Sequence, residues 1–287
     1  MADLNRVVET DRRLVDAELR RSLRLGRDVP PRLAAAMRYA VMGPGKRIRP
    51  VLMLEAFRAA GGRNLAFALP FCAGIEFIHT FSLIHDDLPS MDDDDYRRGR
   101  PSLHRKFDEA TAILAADGLF ALAFEVFAAA PGPADRKLAA IRVLSRAVGP
   151  AGMTGGQMLD MDEAGGREPV ARSASKVLLT HRKKTAEFIA AAVVAGAVLG
   201  GAAPALQRKL RKAGLALGML FQITDDLLDV EQKGEDERTT VVSSLGRART
   251  VRRAKSEAMK SEKLLRSLGA AYDVLAGFPG LVLHRRS

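Results

Sequence analysis

The stretch Phe221-Gln222-Ile223-Thr224-Asp225-Asp226-Leu227-Leu228-Asp229 decides the fold. Taken as a helix, it places Gln222, Asp225, Asp226 and Asp229 at i, i+3, i+4 and i+7, on one face. Phe221, Ile223, Leu227, Leu228 and Val230 take the other face and predict burial against neighbouring helices. Three carboxylates on one helix face repel one another, and a bound cation offsets that repulsion. Carboxylates without His or Cys are hard oxygen ligands of the kind Mg²⁺ takes, often while bridging to phosphate. Read alone, the stretch is equally compatible with a solvated acidic helix end.

A second acidic run lies upstream, His85-Asp86-Asp87-Leu88-Pro89-Ser90-Met91-Asp92-Asp93-Asp94-Asp95. It closes an apolar segment (Ile75, Phe77, Ile78, Phe81, Ile84) in which Glu76, His79 and Asp86 recur at helical spacing, which predicts a helix with one face on a polar cavity. Pro89 cannot sustain helical hydrogen bonding, so the chain is expected to kink or stop there and bring Asp92 back toward Asp86. Two such clusters inside apolar helices together argue against an ordinary solvated face.

Three basic runs accompany them. Gly43-Pro44-Gly45-Lys46-Arg47-Ile48-Arg49-Pro50 puts three cations at a helix start, where they oppose the helix dipole unless an anion is bound. Arg97-Arg98-Gly99-Arg100-Pro101 follows the first acidic run directly, so a diphosphate could bridge metal ions and guanidinium groups there. His181-Arg182-Lys183-Lys184-Thr185 opens a helix of small residues. The bland alternative is a basic surface turn for 43–50 and simple charge balance with the neighbouring acidic run for 97–101, and some of the residues 181–185 are expected to be ordinary surface.

The rest of the chain predicts an all-α fold. The 287 residues are 47% hydrophobic and only 5% aromatic, with no Trp, and the common residues favour helix. Amphipathic stretches predict helices near 4–24, 31–43, 47–60, 65–88, 105–130, 135–149, 169–200, 204–232, 247–267 and 269–276, separated by short Gly- or Pro-bearing breaks. Short breaks between long helices imply antiparallel neighbours, hence a single domain over 1–287, one large bundle of about ten or more helices. The single Cys72 and a charged, signal-free N-terminus point to a reducing, cytoplasmic setting. The uncharged segment 188–207 is long enough to span a bilayer but is mostly Ala and Gly, which predicts a buried, closely packed helix rather than a membrane span. The formal net charge of +11 fits anionic substrates; no nucleic-acid motif accompanies it, so no nucleic-acid partner is expected.

Together, GPGKRIRP (43–50), IEFIHTFSLIHDDLPSMDDDDYRRGRPSLH (75–104), AGMTGGQMLDMD (151–162), HRKKTAEFI (181–189) and FQITDDLLDV (221–230) resemble, in the same order, the trans-polyprenyl diphosphate synthases, which include farnesyl and geranylgeranyl diphosphate synthases. The resemblance covers roughly residues 31–268. It implies a helical bundle around a deep central cavity, usually as a homodimer, and a Mg²⁺-dependent prenyltransferase joining isopentenyl diphosphate to allylic diphosphates such as dimethylallyl and geranyl diphosphate. Asp86, Asp87 and Asp92, with Asp225, Asp226 and Asp229, would hold three Mg²⁺ ions on the allylic diphosphate. Lys46, Arg49, His79 and Arg98 would bind isopentenyl diphosphate; Arg97 and Lys184 would contact the allylic diphosphate. Thr185 and Gln222 would place oxygens near the developing carbocation, with Gln157 and Asp160 as supporting polar groups.

Two departures stand out. The loop after Asp229 reads Glu235-Asp236-Glu237-Arg238-Thr239-Thr240, where Arg238 replaces the family's lysine or Lys233 serves. The C-terminal tail, 281–287, is short for covering the isopentenyl site. Chain length is expected to be set by Phe81 and Ser82, about one turn before Asp86: the Phe ring blocks growth early, which favours the fifteen-carbon farnesyl product over the twenty-carbon geranylgeranyl one. A terpene cyclase would lack the second acidic motif and GPGKRIRP, and a non-catalytic partner subunit would have lost one acidic motif.

Overall fold

The computed structural model describes residues 2–164, 173–233 and 240–285. They are almost wholly helical: α1 (Ala2–Ser22), α2 (Pro31–Val41), α3 (Ile48–Ala59), α4 (Leu65–Asp86), α5 (Leu103–Lys106), α6 (Glu109–Ala129), α7 (Ala134–Val148), α8 (Met153–Ala164), α9 (Ala174–His181), α10 (Glu187–Gly200), α11 (Pro204–Lys233), α12 (Val241–Leu245), α13 (Arg247–Arg266) and α14 (Asp273–Leu283). A two-stranded antiparallel ribbon, β1 (Tyr96–Arg97) and β2 (Arg100–Pro101), follows the first acidic run.

Helix starts follow the local sequence. Asn64 caps α4 by accepting from Ala66 N at 3.1 Å, and Asp108 caps α6 by accepting from Thr111 N at 2.6 Å. The Asp108 cap splits the single helix expected over 105–130 into α5 and α6. Thr240 and Ser243 form a reciprocal capping box at α12. The expected helix over 169–200 is α9, a π-helical turn (Arg182–Ala186) and α10 within the described residues.

The uncharged segment seen in the sequence is α10, buried along nearly its whole length and packed between α3, α7 and α11. Its small residues exist for close approach. A Cβ at Gly196 would sit 2.1 Å from Met53 O, and one at Gly218 of α11 would sit 2.5 Å from Ala186 Cα. Among the described residues two helices are long and apolar enough to cross a bilayer, α4 and α6; α4 is a core helix with 72% of its most apolar window buried, against 33% for α6. A ladder of aromatic rings ties α4 to α6: Phe71 stacks on Phe127 at 4.7 Å between centroids, Phe127 meets Phe124 at 5.8 Å, and Phe120 meets Phe81 at 4.9 Å. The bundle leaves a cavity of ≈ 1010 Å³ between α3, α4, α8, the π-turn, α11 and the chain's end.

Candidate active site

The return of Asp92 expected from Pro89 is present. Asp92 N donates to Asp86 O at 2.9 Å, and Met91 N and Asp93 N both donate to Leu88 O. The loop therefore folds back on the end of α4, with Asp86 and Asp92 both on the cavity. Across from them α11 presents Gln222, Asp225 and Asp229, the polar face read from the sequence.

The six aspartates divide. Asp86, Asp92, Asp225 and Asp229 line the cavity; Asp87 and Asp226 do not. Asp87 is 3% exposed and accepts from Arg97 Nε at 2.7 Å. Asp226 is 5% exposed; it accepts from Val241 N at 2.8 Å and from Gln222 Nε2 at 3.3 Å. These two are held by protein donors, and they tie the ribbon and α12 to the two acidic helices.

The cavity carboxylates are under electrostatic load. Burial, with Asp92 and Asp87 adding to it and Lys184 opposing it, pushes Asp86 up to about 6. Burial likewise pushes Asp225 up to about 6, against the offsetting charge of Arg285, with Asp229 and Asp226 adding repulsion. A divalent cation would relieve this load directly. Gln157, on the cavity wall, has both amide atoms buried without a hydrogen-bond partner, a polar group left for a ligand or its water. An all-oxygen donor set with neighbouring cations suits Mg²⁺ joined to a diphosphate. A separate group, Asp93, Asp95 and His104, brings one potential ligand atom each to within 4.8 Å of the others; it lies off this cavity, and Asp95 is already paired with Arg105.

Beside the carboxylates the cations converge. The ribbon turns through Arg98 (φ 54°) and Gly99 (φ 75°), the positive-φ pair that a two-residue hairpin needs. It sends Arg97 toward Asp87 and Arg98 toward α4. His79 Nε2 lies 3.2 Å from Arg49 Nη1 and 3.5 Å from Arg98 Nη2; since guanidinium only donates, Nε2 is the accepting nitrogen and the ring is neutral. Burial, reinforced by Arg49 and Arg98, lowers the His79 pKa well below the ordinary histidine range. Burial lowers Arg49 to about 10 and also lowers Lys46 and Arg98. A cluster of desolvated, mutually repelling cations is a site for a bound anion. Arg47, the third cation of the basic helix start, has a different role: it is buried and pairs with Glu76 at 2.8 Å and Asp16 at 3.0 Å. Glu76 thus serves as a counter-ion.

The π-turn brings the last basic group inward. π-turns reorient side chains at functional sites, and this one puts Lys184 and Thr185 on the cavity. Lys184 Nζ donates to Asp160 Oδ2 at 2.8 Å; burial disfavours its charge, but Asp86, Asp160 and Asp92 outweigh that and hold it above the ordinary lysine range. Thr185 Oγ1 donates to Gln222 Oε1 at 2.8 Å. Gly156 makes the approach possible, because a Cβ there would lie 2.3 Å from Lys184 N.

Arg238 lies outside the described residues. Phe81 and Ser82 both line the cavity, Phe81 at a wall closed by Phe120 and His85. Phe120 was not legible in the sequence, since it comes from another helix. Nor was Arg285. The tail read as short does reach the cavity: Arg285 Nη2 donates to Asp225 Oδ1 at 2.6 Å and Phe221 O at 2.7 Å, with its guanidinium 4.1 Å over the Phe221 ring.

Residues 30–243 match the family described as polyprenyl synthetase. A farnesyl diphosphate synthase of Geobacillus stearothermophilus is 44% identical over 73% of this chain and 69% of its own. One of Micrococcus luteus is 42% identical over 85% and 82% respectively. The apo crystal structure of an FPP/GFPP synthase from Zymomonas mobilis superposes with a TM-score of 0.89 at 32% identity, covering 98% of this chain and 99% of that one.

Proposed function

The chain belongs to the polyprenyl synthetase family, and from that premise we propose the parts its cavity residues play. It is a short-chain trans-prenyltransferase that condenses isopentenyl diphosphate with allylic diphosphates. Dimethylallyl and geranyl diphosphate are the primers in our reading, and farnesyl diphosphate is the product. The observation that carries this reading is one cavity with carboxylates on two facing helices, a cation cluster beside them, and a wall closed by Phe81.

Asp86, Asp92, Asp225 and Asp229 hold the Mg²⁺ ions, three in our reading, while Asp87 and Asp226 position their neighbours through Arg97 and Gln222. Bound Mg²⁺ supplies positive charge to the departing diphosphate. Lys184 and Arg97 contact the allylic diphosphate and stabilise the charge it gains as the C–O bond breaks. Lys46, Arg49, His79 and Arg98 hold isopentenyl diphosphate, with neutral His79 keeping the two guanidinium groups in place. The double bond of isopentenyl diphosphate then attacks the allylic cation, and the released diphosphate takes the proton lost in forming the new double bond. Thr185 and Gln222 set oxygens near the cation, and an apolar wall including Phe81, Met153 and Met161 keeps water from it. A homodimer fits the exposed apolar residues of α6, Ile113 and Leu114.

Asp86→Ala and Asp225→Ala test the metal assignment. Each is expected to lower kcat on the order of 10²-fold or more with the circular dichroism spectrum unchanged. Turnover near the parent rate in either variant rules the assignment out.

A further inference from the structure

A second cavity lies on the outer side of the bundle, between α9, α11 and α13, with a volume of ≈ 860 Å³. Leu178, Leu215, Met219 and Leu264 give it an apolar floor, and Leu179, 44% exposed, stands at its edge. Lys212, Lys260 and Lys263 line it as exposed cations, joined by Arg182 and Arg253. Among the described residues its one acid is Glu257, committed to Arg253 at 3.0 Å, and Arg182 is paired with Glu187 at 3.5 Å. Among the described residues the three lysines have no ion pair, so their charge is available. An apolar trough ringed by uncompensated cations is complementary to a molecule with an anionic head and one apolar chain, and its volume suits a single ligand.

The linings of the trough and the catalytic cavity have no residue in common, but the two draw on the same elements. Met219 faces the trough one turn before Gln222, which faces the catalytic side; Arg182 lines the trough, and Lys184 of the same π-turn lines the catalytic cavity.

From this we infer that the α9–α11–α13 trough is a second binding site, for a prenyl phosphate or diphosphate, its chain on the leucine and methionine floor and its head on Lys212, Lys260 and Lys263. The choice of a prenyl chain rests on the proposed activity; the choice of an amphiphilic anion rests on the trough alone.

Calorimetric titration of the full chain with dodecyl phosphate in EDTA separates the two, because no turnover occurs there. The parent protein is expected to bind, the triple variant Lys212→Ala/Lys260→Ala/Lys263→Ala at least tenfold more weakly, and Leu179→Asp several-fold more weakly. Prenyl transfer at saturating substrate is expected to stay at the parent rate in both variants. Farnesyl diphosphate should displace dodecyl phosphate from the parent trough. Equal binding by parent and triple variant overturns the site. Binding to phosphatidylglycerol vesicles that the triple variant loses, with no displacement by farnesyl diphosphate, overturns the prenyl ligand in favour of a membrane surface. Trough binding in a chain that proves unable to transfer prenyl groups supports the site and removes only the activity.

Discussion

The division of the six aspartates is the residue-scale result. Sequence spacing puts Asp225, Asp226 and Asp229 on one face, but a helix face is wide enough for one member to point into a neighbour. Asp226 does so, caught by Val241 N. Asp86 and Asp225 stay on the cavity with pKa values of about 6 against an ordinary 3.8. Between those values the folded chain binds more protons than the unfolded one, so these groups make stability fall as pH rises from about 4 to about 6 and leave it low above that. In EDTA the melting temperature should therefore drop between about pH 4.5 and pH 7.5. The Asp86→Asn/Asp225→Asn variant should show a shallower drop, and identical slopes in a thermal melt series would contradict the assigned shifts. The acidic and basic motifs were legible because each is local. Arg285 and the Arg47–Glu76 pair were not, because a cation's partner is set by packing between distant segments and leaves no periodicity behind.

At the scale of elements, the sequence predicted most helices to within a few residues and misplaced the boundaries that tertiary context sets. The Asp108 cap broke one expected helix, and the Arg98-Gly99 turn made a ribbon where only a charged loop was read. That ribbon matters: it separates the partners of Arg97 and Arg98, which adjacent positions in sequence cannot reveal. The α4–α6 contact matters in the same way for product length. Phe81 does not close the wall alone, since its ring packs on Phe120 at 4.9 Å. Phe81→Ala should lengthen the product beyond fifteen carbons, and Phe81→Ala/Phe120→Ala should lengthen it further than either single change. Mass analysis of the products reads this out; an unchanged product from Phe81→Ala would place the floor elsewhere.

For the whole molecule, the all-helical bundle follows from composition and break length, and the cavity follows from where the two polar helix faces are made to meet. Part of the net charge of +11 is gathered around two cavities, with Lys46, Arg49 and Arg98 lining one and Lys212, Lys260 and Lys263 the other; clustered cations of this kind draw anions. On α6, the neighbouring residues Ile113 and Leu114 are both exposed, Leu114 at 61%. Sedimentation should find a dimer, and Leu114→Glu should shift it toward monomer; a monomeric parent protein would leave α6 without that explanation. The most direct test of the central claim is a product assay with Mg²⁺, isopentenyl diphosphate and, separately, dimethylallyl, geranyl or farnesyl diphosphate, resolved by mass. Farnesyl diphosphate from the first two primers, with little extension of the third and none of this in EDTA, is the predicted result. Absence of any prenyl product with every primer in the presence of Mg²⁺ would contradict it.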